Sequence, residues 1–175
     1  MTDLITAARA FAEAAHAGQT RKGAAREPYV VHLEEVAGYV AGHGGSDVAV
    51  AAAWLHDTVE DCGVTPDEIA ARFGPEVAAV VAELTDDKAR PKAERKRLQE
   101  INAPGKSADA ALVKACDKLS NLRALVESPP VHWDRARRHA YVDWAERVVA
   151  ALPAAADPVR PALAAAVARA RAALG

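Results

Sequence analysis

Six consecutive residues, His56-Asp57-Thr58-Val59-Glu60-Asp61, concentrate the ionisable chemistry of this sequence, and they follow its most apolar run, residues 48–55. Ionisable groups at the end of a buried helix are costly unless something pairs with them. A divalent cation does so well. His56 offers an imidazole nitrogen and Asp57 a carboxylate oxygen. Neighbouring residues project about 100° apart on a helix, so both can reach one ion beyond its surface. Two ligands do not make a site, and two more candidates lie on other predicted helices. His32 sits near the start of the second. Asp117 sits within a long one, on Lys114-Ala115-Cys116-Asp117-Lys118-Leu119-Ser120-Asn121. The set His32, His56, Asp57 and Asp117 mixes nitrogen and oxygen donors and keeps positions open. That suits Mn²⁺ or another octahedral first-row ion better than a closed, Cys-rich zinc site. Such an ion lowers the pKa of water and holds a phosphate oxygen. Glu60 and Asp61 follow His56 and Asp57 by one helical turn if the helix continues. They are the candidate catalytic acids, able to position a water, accept its proton or protonate a leaving group.

Taken singly, each residue has a plainer reading. His32 alone is a surface or capping histidine. Asp117 alone pairs with Lys114 or Asn121 on its own helix. Glu60 and Asp61 alone are a solvated helix end. The combination, an apolar helix ending in His-Asp with acids following and one Asp in a later amphipathic helix, points to a metal-dependent site.

The elements that must position these groups read as helices throughout. Leu4, Ala8, Phe11 and Ala15 recur at helical spacing, and Gly18 ends that helix. A basic loop covers residues 19–27. Pro28 suits the first turn of a second helix, with Val31, Val36 and Val40 inward and a stop at residues 42–45. Ser46 or Asp47 caps the third helix, apolar nearly all round and so central to a bundle. Thr65-Pro66-Asp67-Glu68 reads as a capping box, and Phe73-Gly74-Pro75 breaks the short helix it starts. Another runs from Pro75 to Thr85. A helix resumes after Pro91 in the charge-dense segment 86–97. Ser107 or Asp109 starts the long helix, which carries Leu112, Ala115, Leu119, Leu122 and Leu125 and ends before Pro129-Pro130. Residues 133–152 form another. Pro153, Pro158 and Pro161 punctuate a linker to an Ala-rich final helix. No stretch alternates at period two for long, so no sheet is expected. The expected fold class is all-α, a single-domain helical bundle over residues 1–152 with a Pro-punctuated helical extension over residues 153–175.

Composition narrows the function classes. A chain of 175 residues that is 51% hydrophobic and 26% charged reads as soluble and globular. A formal net charge of −2 lacks the basic footprint of a duplex nucleic-acid binder. Cys62 and Cys116 lack a C-x-x-C spacing, which fits a reducing compartment. The first nine residues carry no basic segment followed by an apolar run, and the 48–55 run is too short to span a bilayer. The expected setting is cytoplasmic, without nucleic-acid or membrane partners.

Three segments in order, Tyr29-Val30-Val31-His32, His56 through Asp61, and Asp117-Lys118-Leu119-Ser120-Asn121-Leu122-Arg123, resemble the hydrolase domain of RelA/SpoT-type alarmone enzymes. The chain length is similar to that of the family's stand-alone small alarmone hydrolases. His16-Ala17-Gly18-Gln19-Thr20-Arg21-Lys22 resembles the family's substrate loop. Leu84-Thr85-Asp86-Asp87-Lys88 and Pro91-Lys92-Ala93-Glu94-Arg95-Lys96-Arg97 resemble its middle segment, and Tyr141-Val142-Asp143-Trp144-Ala145 its late helix. The resemblance implies an HD-type phosphohydrolase that removes the 3′-pyrophosphate of (p)ppGpp, giving GDP or GTP and pyrophosphate. It implies one Mn²⁺ on His32, His56, Asp57 and Asp117, with Glu60 and Asp61 directing the attacking water. Arg21, Lys22, Asn121 and Tyr141 would contact the nucleotide, and Lys92 its phosphates. The alternatives are a phosphatase for another nucleotide such as NADPH and a non-catalytic alarmone sensor. Leu33, where the family often has proline, and the loop Gly23-Ala24-Ala25-Arg26 depart from the pattern and bear on base selectivity. His43, His132 and His139 read as surface residues, His16 as a loop-shaping residue, and Trp54, Trp133 and Trp144 as packing. The basic run 90–97 reads equally as a solvated face or a phosphate patch.

Overall fold

The computed structural model describes residues 2–175. Its helices are α1 (Asp3–Ala15), α2 (Val30–Gly42), α3 (Asp47–Leu55), α4 (Thr58–Cys62), α5 (Pro66–Phe73), α6 (Pro75–Leu84), α7 (Lys92–Asn102), α8 (Ala108–Glu127), α9 (Arg135–Ala150) and α10 (Arg160–Leu174). Two 3₁₀ turns, Ala103–Gly105 and Ala154–Val159, complete them. Among the described residues there is no strand, only isolated bridges between Thr20 and Pro28 and between Gly23 and Pro130.

Two helices form the interior. In α3 every residue from Ala49 to Leu55 is buried, and α1, α2, α6 and α8 pack around it. Alanine at 49, 51, 52 and 53 lets those neighbours approach closely, because a methyl side chain occupies little of the space between helix axes. In α8 every residue from Ala110 to Ser120 is buried, Lys114, Asp117 and Lys118 included. These two helices carry His56 and Asp117, so the candidate ligands hang from the most constrained parts of the bundle.

Local signals set the helix ends. Ser46, Thr65, Ser107 and Asp134 each accept a hydrogen bond from the backbone N–H three residues on, satisfying a donor that the helix leaves unpaired. Gly74, at φ +89°, separates α5 from α6, a backbone that L side chains rarely adopt. The buried face of α1 is Ile5, Ala8 and Ala12, with Leu4 and Phe11 only partly covered, one residue round from the expected stripe. In α2, Val36 and Val40 are buried and Val31 is half-buried.

The C-terminal segment shares this core. Leu163, Ala166, Val167 and Ala170 of α10 are buried, and α10 packs against α8 and α9. Arg160 locks the approach by donating to the carbonyls of Val149 and Leu152 at 2.9 and 2.8 Å. Among the described residues, no helix is long and apolar enough to cross a membrane. Truncating Leu163 to alanine removes buried methyl groups under α8 and lowers unfolding free energy by about 2–4 kcal/mol. Urea denaturation checks this, and an unchanged midpoint would show that α10 does not pack on the core.

Candidate active site

The C-terminal end of α3 is built to present His56 and Asp57. His56 Nδ1 lies 2.7 Å from the Ala53 carbonyl, and Thr58 Oγ1 donates to the Leu55 carbonyl at 2.7 Å. Side chains therefore take carbonyls that a continuing helix would have used. The helix breaks after Leu55 and restarts as α4 at Thr58, with Asp57 at φ −103°, ψ −4°. The uninterrupted helix needed to set Glu60 one turn above His56 does not form. A single turn survives, closed by Asp61 N–H donating to the Asp57 carbonyl at 2.8 Å.

His32, His56 and Asp57 each bring one donor atom within 4.8 Å of the others. His56 Nε2 is 3.2 Å and His32 Nε2 3.8 Å from Asp57 Oδ2. Asp117 closes on the two imidazoles from α8, its Oδ1 lying 3.4 Å from His32 Nε2 and 3.9 Å from His56 Nε2. The donor set passes a chemical test for a divalent cation. His56 Nε2 is buried and, among the described residues, has no hydrogen-bond partner, although Asp57 Oδ2 lies 3.2 Å away. With His56 Nδ1 committed to a carbonyl, Nε2 is the ring atom turned towards the two acids, which draw a proton or a cation to it. Two imidazole nitrogens and the Asp57 carboxylate meet around one point, with the Asp117 carboxylate beside the two imidazoles, a mixed nitrogen and oxygen donor set that suits a divalent first-row ion.

Each group is held by a further partner. Tyr29 O–H donates to Asp57 Oδ2 at 2.6 Å. Lys118 Nζ donates to Asp117 Oδ2 at 3.0 Å, and Asn121 Nδ2 to Asp117 Oδ1 at 2.6 Å. The in-helix pairing that Asp117 would make as an ordinary residue thus coexists with its inward approach. Charge follows the geometry. Burial works against the ionised form of Asp57, yet His56 and His32 hold its carboxyl well below the usual range. Burial likewise opposes Asp117, and Lys118 with the His32 contact overrides it. Burial would lower His56, but Asp57 and Asp117 carry it up to about 9. His32 is pushed down, mainly by burial. The Tyr29 phenol is raised by burial and then by Asp57, so it remains a proton donor.

The two candidate acids sit differently. Glu60 lines the neighbouring cavity, with Oε1 3.2 Å from Arg95 Nη1 and Oε2 accepting from Asp86 N–H at 3.3 Å. Burial and the Asp86 and Asp57 charges raise its pKa. Asp61 is more exposed, outside the cavity lining, and is held by Lys88. One stretch between α6 and α7 therefore tethers both acids.

That cavity has a volume of about 350 Å³ and is lined by Arg21, Lys22, Lys92, Arg95, Lys96 and Lys118, opposed by Glu60 and Asp86. Arg21, Lys22, Lys92, Asn121 and Tyr141, the five nucleotide-contact candidates, all line it, as does His32. The loop bearing Arg21 and Lys22 is pinned against the start of the α8–α9 connection. A Cβ on Gly23 would meet the Ser128 carbonyl at 2.3 Å, so only glycine fits there. Trp133 and Trp144, read from sequence as packing, also line the cavity beside Tyr141. Lys96 Nζ lies 4.4 Å from the Trp144 ring centroid, close enough for a cation–π contact. The run 90–97 divides, with Lys92, Arg95 and Lys96 facing the cavity while Arg90 pairs with Asp87 and Glu94 outside. His16 is buried, stacked on Tyr29 at 4.8 Å.

The partners Tyr29, Ser120, Lys118, Arg95 and Lys88 escaped sequence reasoning. Their signal is faint: each lies within three residues of a candidate or in a segment already resembling the alarmone enzymes, but its contact crosses between helices.

Comparison with known proteins agrees with this architecture. Residues 8–154 match the HD domain. The chain is 47% identical over 151 residues to guanosine-3′,5′-bis(diphosphate) 3′-pyrophosphohydrolase MESH1 of Xenopus tropicalis, covering 85% of this chain and 84% of the relative. The protein of the same name from Homo sapiens is 46% identical, covering 81% of this chain and 80% of the relative. A solved structure described as a metazoan ortholog of SpoT that hydrolyzes ppGpp superposes with a TM-score of 0.90 at 35% identity, covering 95% of this chain and 94% of the other. A crystal structure of lmo0812 from Listeria monocytogenes EGD-e is similar at a TM-score of 0.69 and 25% identity, covering 82% of this chain and 98% of the other. With the match spanning the helices that carry His32, His56, Asp57 and Asp117, the chain belongs to the HD-domain family.

Proposed function

We infer that this protein is a (p)ppGpp 3′-pyrophosphohydrolase, converting its substrate to GDP or GTP and pyrophosphate. The observation that carries the reading is a His-His-Asp-Asp cluster, with His56 Nε2 buried and lacking a hydrogen-bond partner, at the edge of a cavity lined by six cationic side chains. The similarity to relatives named for this activity supports it. The proposed ligands are His32, His56, Asp57 and Asp117, and the proposed ion is Mn²⁺. When bound, that ion supplies Lewis-acid polarisation of a phosphate oxygen and acidifies water.

The chain's own residues account for the remaining steps. Arg21, Lys22, Lys92, Lys96 and Lys118 create a local field that draws in a polyanion and neutralises its pyrophosphate. Tyr141 and Asn121 are the proposed contacts to the nucleoside, with Trp133 and Trp144 forming an aromatic wall beside them. Glu60, its pKa raised, is suited to take a proton from the attacking water. Water oxygen bonds to phosphorus, the bond from phosphorus to the ribose 3′ oxygen breaks, and that oxygen recovers a proton. Asp61, braced by Lys88, is the proposed partner in directing the water. Residues 1–152 are the proposed working unit, with 153–175 bracing α8. Two free cysteines support a reducing, cytoplasmic setting as the proposed location.

Purified protein with Mn²⁺ and ppGpp is expected to release pyrophosphate. Faster turnover of another nucleotide, NADPH included, by kcat/KM would reassign the substrate. Tight ppGpp binding with no turnover would make the protein a sensor. The Glu60→Ala variant is expected to lose at least about 100-fold in kcat while retaining metal and nucleotide, as for removal of a general base. Loss of the metal in that variant would contradict the assigned role. Lys96 gives a pH signature. Burial, then Lys92 and Lys118, bring its pKa down to about 8. Its ammonium attracts the nucleotide only while protonated, so affinity falls as pH rises through about 8. Lys96→Met flattens that step in a binding titration, and an unchanged step would assign it elsewhere.

A further inference from the structure

Ser120 is fully buried in α8, yet its hydroxyl meets three polar groups. Ser120 Oγ donates to Glu35 Oε2 at 2.6 Å, accepts from Arg21 Nη1 at 3.4 Å and lies 2.8 Å from His32 Nδ1. A hydroxyl has one proton to give and two lone pairs to offer, while a guanidinium can only donate. The Glu35 carboxylate takes the proton and Arg21 occupies one lone pair. The lone pair left faces His32 Nδ1, which must therefore carry the hydrogen. That leaves His32 Nε2 bare, turned towards Asp117 Oδ1 at 3.4 Å and Asp57 Oδ2 at 3.8 Å.

We propose that Glu35, acting through Ser120, is a positioning residue that holds His32 in the Nδ1–H form and so presents Nε2 to the cation. This rests on the reading of His32 as a ligand. Without the Glu35 acceptor, the Ser120 hydroxyl is free to donate to Nδ1, and the ring then carries its proton on Nε2, where it opposes a cation. His56 obtains the same service from the Ala53 carbonyl, with no side chain involved. Glu35 lies on α2 one turn beyond His32, and its 3.9 Å contact with Arg21 ties the relay to the cavity wall. The relay gives the two histidines different supports, one removable by mutation and one not.

Calorimetric titration of Mn²⁺ into metal-free protein, without nucleotide, tests this. Ser120→Ala and Glu35→Ala are each expected to raise the Mn²⁺ Kd by about 10–100-fold, the usual scale for partners that orient metal ligands. The double variant should bind no more weakly than the weaker single, because both act through one chain of contacts. Ser120→Thr keeps the hydroxyl and should restore affinity to within a few-fold, with the metal-free melting temperature matched to the unaltered chain. Glu35 is half-exposed, so Glu35→Ala carries the test alone if Ser120→Ala fails to fold. A Glu35→Ala Kd within twofold of the unaltered protein would overturn the relay and leave the metal centre standing. Single effects that multiply in the double variant would overturn it too. An unaltered chain that binds no Mn²⁺ would remove the metal centre and the relay together.

Discussion

Two carboxylates and two imidazole rings converge in the interior of this bundle, and carboxylates held this far from water are costly unless positive charge sits beside them. Asp57 and Asp117 are both driven to stay ionised despite burial. Everything else in the fold can be ordered around that cost. The apolar wall of α3 delivers His56 and Asp57 from a helix that cannot easily rotate or slide, since all its residues from Ala49 onward are packed. The buried middle of α8 delivers Asp117 in the same way. The C-terminal end of α3 adds the negative end of a helix dipole, which favours positive charge at that point.

Around this negative centre the protein arranges a positive rim. Lys118 belongs to both zones, since it holds Asp117 and also lines the cavity, with its ammonium 4.5 Å from the Trp144 ring. Lys96 meets the same ring. Aromatic faces let several ammonium groups sit near one another with less mutual cost than open packing would allow. The arrangement puts a cation-seeking centre beside an anion-seeking wall, which is what a substrate carrying two diphosphates and a metal-dependent reaction ask for together.

Much of this was legible in the sequence because helical periodicity is local. The apolar run 48–55 followed by His-Asp marked the end of a central helix, and the lone Asp117 among Leu112, Ala115 and Leu119 marked a second contributor. Less was legible where the partner lies on another helix. Nothing in the spacing of Tyr29 shows that its hydroxyl crosses to Asp57, and nothing in Ser120 announces Glu35 and His32 at once. The break after Leu55 depends on two side chains, His56 and Thr58, taking carbonyls that propensity assigns to the helix. Trp133 and Trp144 read as packing because burial and a cavity wall leave the same mark on a sequence. The short buried polar contacts are tertiary facts, fixed only when α2, α3 and α8 meet.

Diffraction from crystals grown with Mn²⁺, recorded where manganese scatters anomalously, tests the central claim most directly. One anomalous peak per chain is expected, within bonding distance of His32 Nε2, His56 Nε2 and carboxylate oxygens of Asp57 and Asp117. A chain saturated with Mn²⁺ that shows its peak elsewhere, or none between these four side chains, would contradict it.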